Sequence, residues 1–129
     1  MILEIDTASE VPIYVQLRNQ IVLGIGRGEL KIGESLPTVR KLAEAVGVNP
    51  MTVNKVYAIL KTEGYLEMDR RKGATISIRP EMQSRCSKKC ELELELLITE
   101  STLKGMDRET FLEICGDIFD RQQIGWANG

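Results

Sequence analysis

The chain has 129 residues, 43% of them hydrophobic and 28% charged, a net charge of −2 and no histidine, so it holds one ordinary domain or a small domain with an appendage. Without histidine there is no Ser-His-Asp or Cys-His nucleophile pair, no His-ligated zinc and no unperturbed general base near neutral pH. The apolar content is too high for disorder and aromatics are only 5%, which predicts a mostly helical protein with a core of Leu, Ile, Val and Met.

The opening MILEIDTASE contains three acids and no base and resembles no secretory segment, and no window is long enough to span a bilayer. A cytoplasmic protein is expected. After this extended lead, Pro12 suits a first helical turn, and Ile13, Leu17, Ile21 and Ile25 recur every four residues with Val15 and Val22 widening the stripe. That predicts one amphipathic helix of about four turns, stopped by Gly26-Arg27-Gly28. Leu30 to Leu36 contains Gly33, ends before Pro37 and reads as a connector.

Two short helices follow. Thr38 can cap a helix whose stripe is Val39, Leu42, Ala43 and Val46, ending at Gly47. Asn49-Pro50 then supplies an N-cap and an N1 proline for a helix carrying Val53, Val56, Tyr57 and Leu60 up to Gly64. Helices joined only by Gly47-Val48-Asn49 must cross steeply, as in a helix-turn-helix. Thr38 and Asn49 are therefore caps first and candidate contacts second. Tyr57 is expected in the core with its hydroxyl at the rim.

Beyond Gly64 the period changes. Tyr65–Met68 and Ala74–Ile78 read as strands, with Ile76 and Ile78 inward, around the tip Asp69-Arg70-Arg71-Lys72-Gly73. Three adjacent positive charges at a tight turn repel one another, so an external anion is the simpler reason for them. After Arg79-Pro80 a helix is expected from roughly Gln83 to Lys104, then one capped by Asp107 with Phe111, Leu112, Ile114, Cys115, Ile118 and Phe119 apolar. The tail Gly125-Trp126-Ala127-Asn128-Gly129 is expected to fray. These last two helices carry more leucine and isoleucine than either can bury alone, which favours a dimer interface.

Cys86, Cys90 and Cys115 make an odd count and are read as free thiols in a reducing compartment. Cys86 and Cys90 stand four apart on one helix face. A metal or oxidant sensor there is the weaker reading, because one further cysteine and no histidine make a thin ligand set. Neither a metal nor a cofactor is expected.

Splitting the charge changes its meaning. Residues 1–80 hold 11 Lys and Arg against 9 Asp and Glu, and residues 81–129 hold 6 against 10. Residues 38–79 alone hold 8 against 4, a local net of +4, which marks a candidate polyanion surface inside an acidic protein.

These residues carry a resemblance. PIYVQLRNQIVLGI followed by LPTVRKLAEAVGVNPMTVNKVYAILKTEGYL resembles the winged helix-turn-helix of GntR-family transcription regulators, in detail the YtrA-type branch. That branch also has a short two-helix C-terminal dimerisation segment, similar to the remaining 49 residues. The implied fold is mainly α with a small β-hairpin wing, with a DNA-binding domain over 1–80 and a dimerisation segment over 81–129. It implies that Arg40 meets the DNA backbone or a base edge and that Asn49 to Glu63 is the recognition helix. The inward stripe of that helix leaves Asn49, Met51, Thr52, Asn54, Lys55 and Ala58 for the major groove and its rims. Asn54 can bridge adenine N6 and N7, and Met51 or the Thr52 methyl can touch a thymine methyl. Thr38 and Lys41 suit a phosphate, as do Arg70, Arg71, Lys72 and Gly73 at the wing tip. Two departures stand out. Many family members have arginine where this chain has Asn54, and the usual Gly-x-Gly wing is here Arg71-Lys72-Gly73.

The expected function is that of a sequence-specific DNA-binding regulator of repressor type, not an enzyme, binding a near-palindromic operator as a homodimer. Its partners are double-stranded DNA, a second copy through the C-terminal helices and an effector left open. The rival reading is a protein-interaction module with vestigial DNA binding.

Overall fold

The computed structural model describes residues 3–78 and 88–127. Its elements in chain order are α1 (Ile13–Gly26), α2 (Val39–Val46), α3 (Pro50–Glu63), β1 (Leu66–Asp69), β2 (Gly73–Ile76), α4 (Lys88–Leu103) and α5 (Arg108–Asp120). They fall into two compact units, Met1–Met82 with Gln123–Gly129 and Gln83–Gln122. Among the described residues no helix is long and apolar enough to cross a membrane.

In the first unit, α1 buries Leu17, Ile21 and Ile25, the four-residue rhythm of its sequence, against α3. Its N-terminal end has no side-chain cap; the Pro12 carbonyl instead accepts from the Val15 and Gln16 amides at 3.0 and 3.1 Å. The helix closes on Arg27 in right-handed conformation rather than on glycine, and Gly28, at φ 78°, makes the turn. The lead is held onto α1 by Gln16, whose amide nitrogen donates to the Asp6 and Val11 carbonyls at 3.0 and 2.8 Å. From the far end of α3, Glu63 accepts a two-pronged pair from Arg18 at 3.0 and 2.9 Å. Such a half-buried pair at the protein's rim adds about 1 kcal/mol, so the apolar seam of α1 and α3 is the main adhesive.

The stretch from Leu30 to Leu36 is more than the connector its sequence suggests. Leu30, Ile32 and Leu36 are buried in the core. Its backbone pairs along the outer edge of β2: the Gly33 amide donates to the Ile76 carbonyl at 2.7 Å, the Ile76 amide to Glu34 at 2.9 Å and the Leu36 amide to Ala74 at 2.8 Å. Strand β2 also pairs antiparallel with β1, from Leu66 opposite Ile76 to Asp69 opposite Gly73. Flanked on both edges, it buries Ala74, Thr75 and Ile76 in succession, so the expected alternation does not hold. The ladder stops at Ile76, short of Ile78.

As far as Ala127, the last described residue, the tail is docked and not frayed. The Gln123 amide donates to the Gly26 carbonyl at 2.7 Å, Ile32 donates to Gly125 at 2.9 Å, and Ala127 donates back to Ile32 at 2.8 Å. Two ladder bonds at the edge beside Ile32 and one bond to the Gly26 carbonyl hold this segment against the entropy that usually frees such stretches.

The second unit is the pair α4 and α5. The Asp107 carboxylate caps α5 by accepting from the Thr110 amide at 2.8 Å, and its bonding to Thr110 holds its pKa below the ordinary carboxylate value. The expected start of the preceding helix, from Gln83 to Ser87, lies outside the described residues, as does Cys86. Cys90 is disulfide-bonded, which corrects the free thiol expected there; Cys115 is free and half-buried.

Candidate nucleic-acid interface

Two capped helix starts define the first unit's polar face. Thr38 is extended, and its hydroxyl oxygen accepts from the Lys41 amide at 3.3 Å. Asn49 repeats the device for α3, accepting from the Met51 amide at 2.8 Å, with Pro50 at a position where its missing N–H costs nothing. Between them Gly47, at φ 79°, reverses the chain in a conformation that other residues resist. The Tyr57 hydroxyl then donates to the Pro37 carbonyl at 2.7 Å, so the core face of α3 holds the residue just before the α2 cap. Burial pushes that phenol up to about 12.

Val53, Val56, Tyr57 and Leu60 are the buried side of α3. Met51 lies opposite them and is 78% exposed, a large apolar side chain left in water. Asn54, Lys55 and Ala58 are exposed with it, and Arg40 and Lys41 are exposed in the first turn of α2. Of the contacts expected from sequence only Thr52 and Gly73 are half-buried; Thr38, Asn49, Arg70, Arg71 and Lys72 are all exposed.

The hairpin tip has an internal anchor as well as its charge. The Asp69 carboxylate accepts from the Arg71 amide at 2.7 Å and from the Lys72 amide at 3.1 Å. Those two bonds, Arg71's first, hold its pKa below the ordinary value. The turn is thus shaped by backbone bonding to Asp69, with the three basic side chains turned to solvent.

One contact was not visible in the sequence. The Lys55 ammonium sits 3.8 Å from the centroid of the Tyr14 ring, a cation–π distance. Tyr14 is half-buried against the core beside the stripe of α1, and nothing in the spacing of either helix pairs the two residues.

The second unit buries none of its helix residues. Leu92, Leu96 and Phe119 are 65%, 60% and 77% exposed. A groove of about 420 Å³ runs between its helices, lined by Ile98, Met106, Phe111 and Leu112 with Ser101, Thr102, Asp107 and Arg108. Among the described residues no cluster of three or more Cys, Asp or Glu is placed to hold a metal.

Two capped helices joined by a three-residue turn and followed by a two-stranded basic hairpin define a winged helix-turn-helix protein. The family model for bacterial regulatory proteins of the gntR family matches residues 12–76, and the chain belongs to that family. It is similar to the HTH-type transcriptional regulator YhcF of Bacillus subtilis, 33% identical over 81% of this chain and 88% of that protein. It is also similar to the transcriptional repressor YtrA of the same organism, 41% identical over 58% of each chain. Across 92% of this chain the fold resembles a transcriptional antiterminator from Listeria monocytogenes, with a TM-score of 0.76 and 27% identity over 93% of that chain.

Proposed function

We propose that this gntR-family regulator binds a near-palindromic DNA operator as a homodimer and represses transcription from it in the cytoplasm. The observation that carries the reading is the exposed polar side of α3, with Met51, Asn54 and Lys55 opposite a fully packed stripe and both neighbouring caps formed. In this reading α3 enters the major groove, where Asn54 pairs with an adenine edge and Met51 or Thr52 packs on a thymine methyl. Thr38, Arg40, Lys41, Asn49 and Lys55 hold the adjacent phosphates. Arg70, Arg71 and Lys72 reach the backbone from the wing, where Gly73 lets the strand turn. No step is catalytic.

The sequence divides the work into residues 1–80 for DNA and 81–129 for pairing; in this reading pairing belongs to α4 and α5, because Gln123–Gly129 cluster with the first unit. A second copy is the occupant proposed for the apolar side of α4 and α5. Leucines at this exposure cost far more in water than against each other, at about 25 cal/mol per Å² removed. Selection from a pool of random duplexes tests the whole reading. It should enrich an inverted repeat with A·T-rich positions under α3, and enrichment of no common site would overturn it.

A further inference from the structure

Lysine is a poor element of a precise interface when free: four rotatable bonds let the ammonium sweep a wide arc, and fixing it costs rotamer entropy. Lys55 is exposed on the proposed DNA side of α3, yet its ammonium already rests 3.8 Å above the Tyr14 ring. The ring is itself fixed: Tyr14 lies in the first turn of α1 and packs half-buried against the core. The ring face takes one side of the ammonium and leaves its other N–H donors to water or an anion.

We propose that Tyr14 is a positioning residue of the DNA interface, a platform that presents Lys55 to one backbone phosphate. The proposal rests on the reading of α3 as the DNA-contacting helix and adds to it a residue on a different helix that touches no DNA. The Lys55 stem is ordered before encounter, so less entropy is lost on binding. Substitutions at Tyr14 therefore act on affinity only through Lys55.

The test is fluorescence anisotropy with a labelled mixed-sequence duplex, since a phosphate contact needs no operator, over a range of salt. Lys55→Gln should flatten the slope of log K against log salt by about 0.9. Tyr14→Leu should weaken binding about two- to fivefold, and Tyr14→Phe, which keeps the ring face, should rescue that loss. In the Lys55→Gln background Tyr14→Leu should cost nothing further. Equal losses from Tyr14→Leu with and without Lys55, or a loss that Tyr14→Phe does not rescue, would overturn the platform. An unchanged salt slope in Lys55→Gln would instead remove Lys55 from the interface and the proposal with it. Failure of the parent protein to bind the duplex at all would defeat the DNA-binding reading itself. Thermal unfolding of each variant separates these outcomes from misfolding.

Discussion

The Tyr57 hydroxyl donates to the Pro37 carbonyl at 2.7 Å, and this bond couples the core of α3 to the start of α2. Pro37 precedes the Thr38 cap, so the bond fixes the point from which Arg40 and Lys41 project. Tyr57→Phe leaves that carbonyl without its partner and should lower stability by about 1 kcal/mol, read as an earlier midpoint in urea.

The same phenol gives a pH signature. Its pKa is about 12 in the folded chain and about 10 when unfolded. Below pH 10 both states hold the proton and the stabilisation is complete. Between pH 10 and 12 the unfolded chain releases it first, so stability falls as pH rises. Denaturation curves across that range should fall more steeply for the parent than for Tyr57→Phe, and identical slopes would count against the buried phenol.

Gly28 tests the docked tail. Its φ of 78° disfavours any side chain, and a Cβ there would lie 2.4 Å from the Gln123 carbonyl oxygen. Gly28→Ala should destabilise the first unit by about 1–3 kcal/mol and loosen the tail. Hydrogen exchange at the Ile32 and Ala127 amides, which make the ladder bonds, should quicken in this variant, whereas unchanged protection would mean that the tail docks independently of the Gly28 turn.

At the hairpin, Asp69→Ala removes the acceptor for the Arg71 and Lys72 amides while making the tip more positive. Charge alone predicts tighter DNA binding; a tip that needs its turn predicts weaker specific binding with non-specific affinity kept. Asp69→Asn retains an acceptor and should stand between. Because its folded pKa is lowered, the contribution of Asp69 is present above the ordinary carboxylate value and lost as pH falls through the folded one. The protection of those two amides, relative to their intrinsic exchange rates at each pH, should fall over that acid limb.

Light scattering of the full chain tests pairing. The apolar side of α4 and α5 predicts twice the 14.5 kDa of one chain at micromolar concentration. Paired charges at Leu92 and Leu96 should return it to one, and a parent protein that stays at one would reject a second copy as the occupant.

The sequence was most legible where a local signal stood alone. Thr38, Gly47, Asn49-Pro50, Gly64 and Asp107 fall where the helix ends are, because caps and left-handed closures are chosen by local backbone chemistry. It was least legible where the partner lies far along the chain. Ile32 meets Trp126 in a parallel bridge, Ser35 meets Thr75, and Lys55 meets Tyr14. The 30–36 connector shows no periodicity because its pairing partners are β2 and the tail. The exposed positions of α3 proposed as contacts were readable as a set, as the polar remainder of a helix whose apolar stripe is plain. The Asp69 anchor was hidden because the neighbouring charges suggested an outside partner alone.

In the proposed complex the helix-turn-helix and its wing meet DNA phosphates together. Its most direct test is the salt dependence of DNA affinity for the parent, Arg40→Gln and Lys72→Gln, one from α2 and one from the hairpin tip. Each charge removed should flatten the slope of log K against log salt by about 0.9, and the two losses should add. Slopes equal to the parent's in both variants would contradict the account.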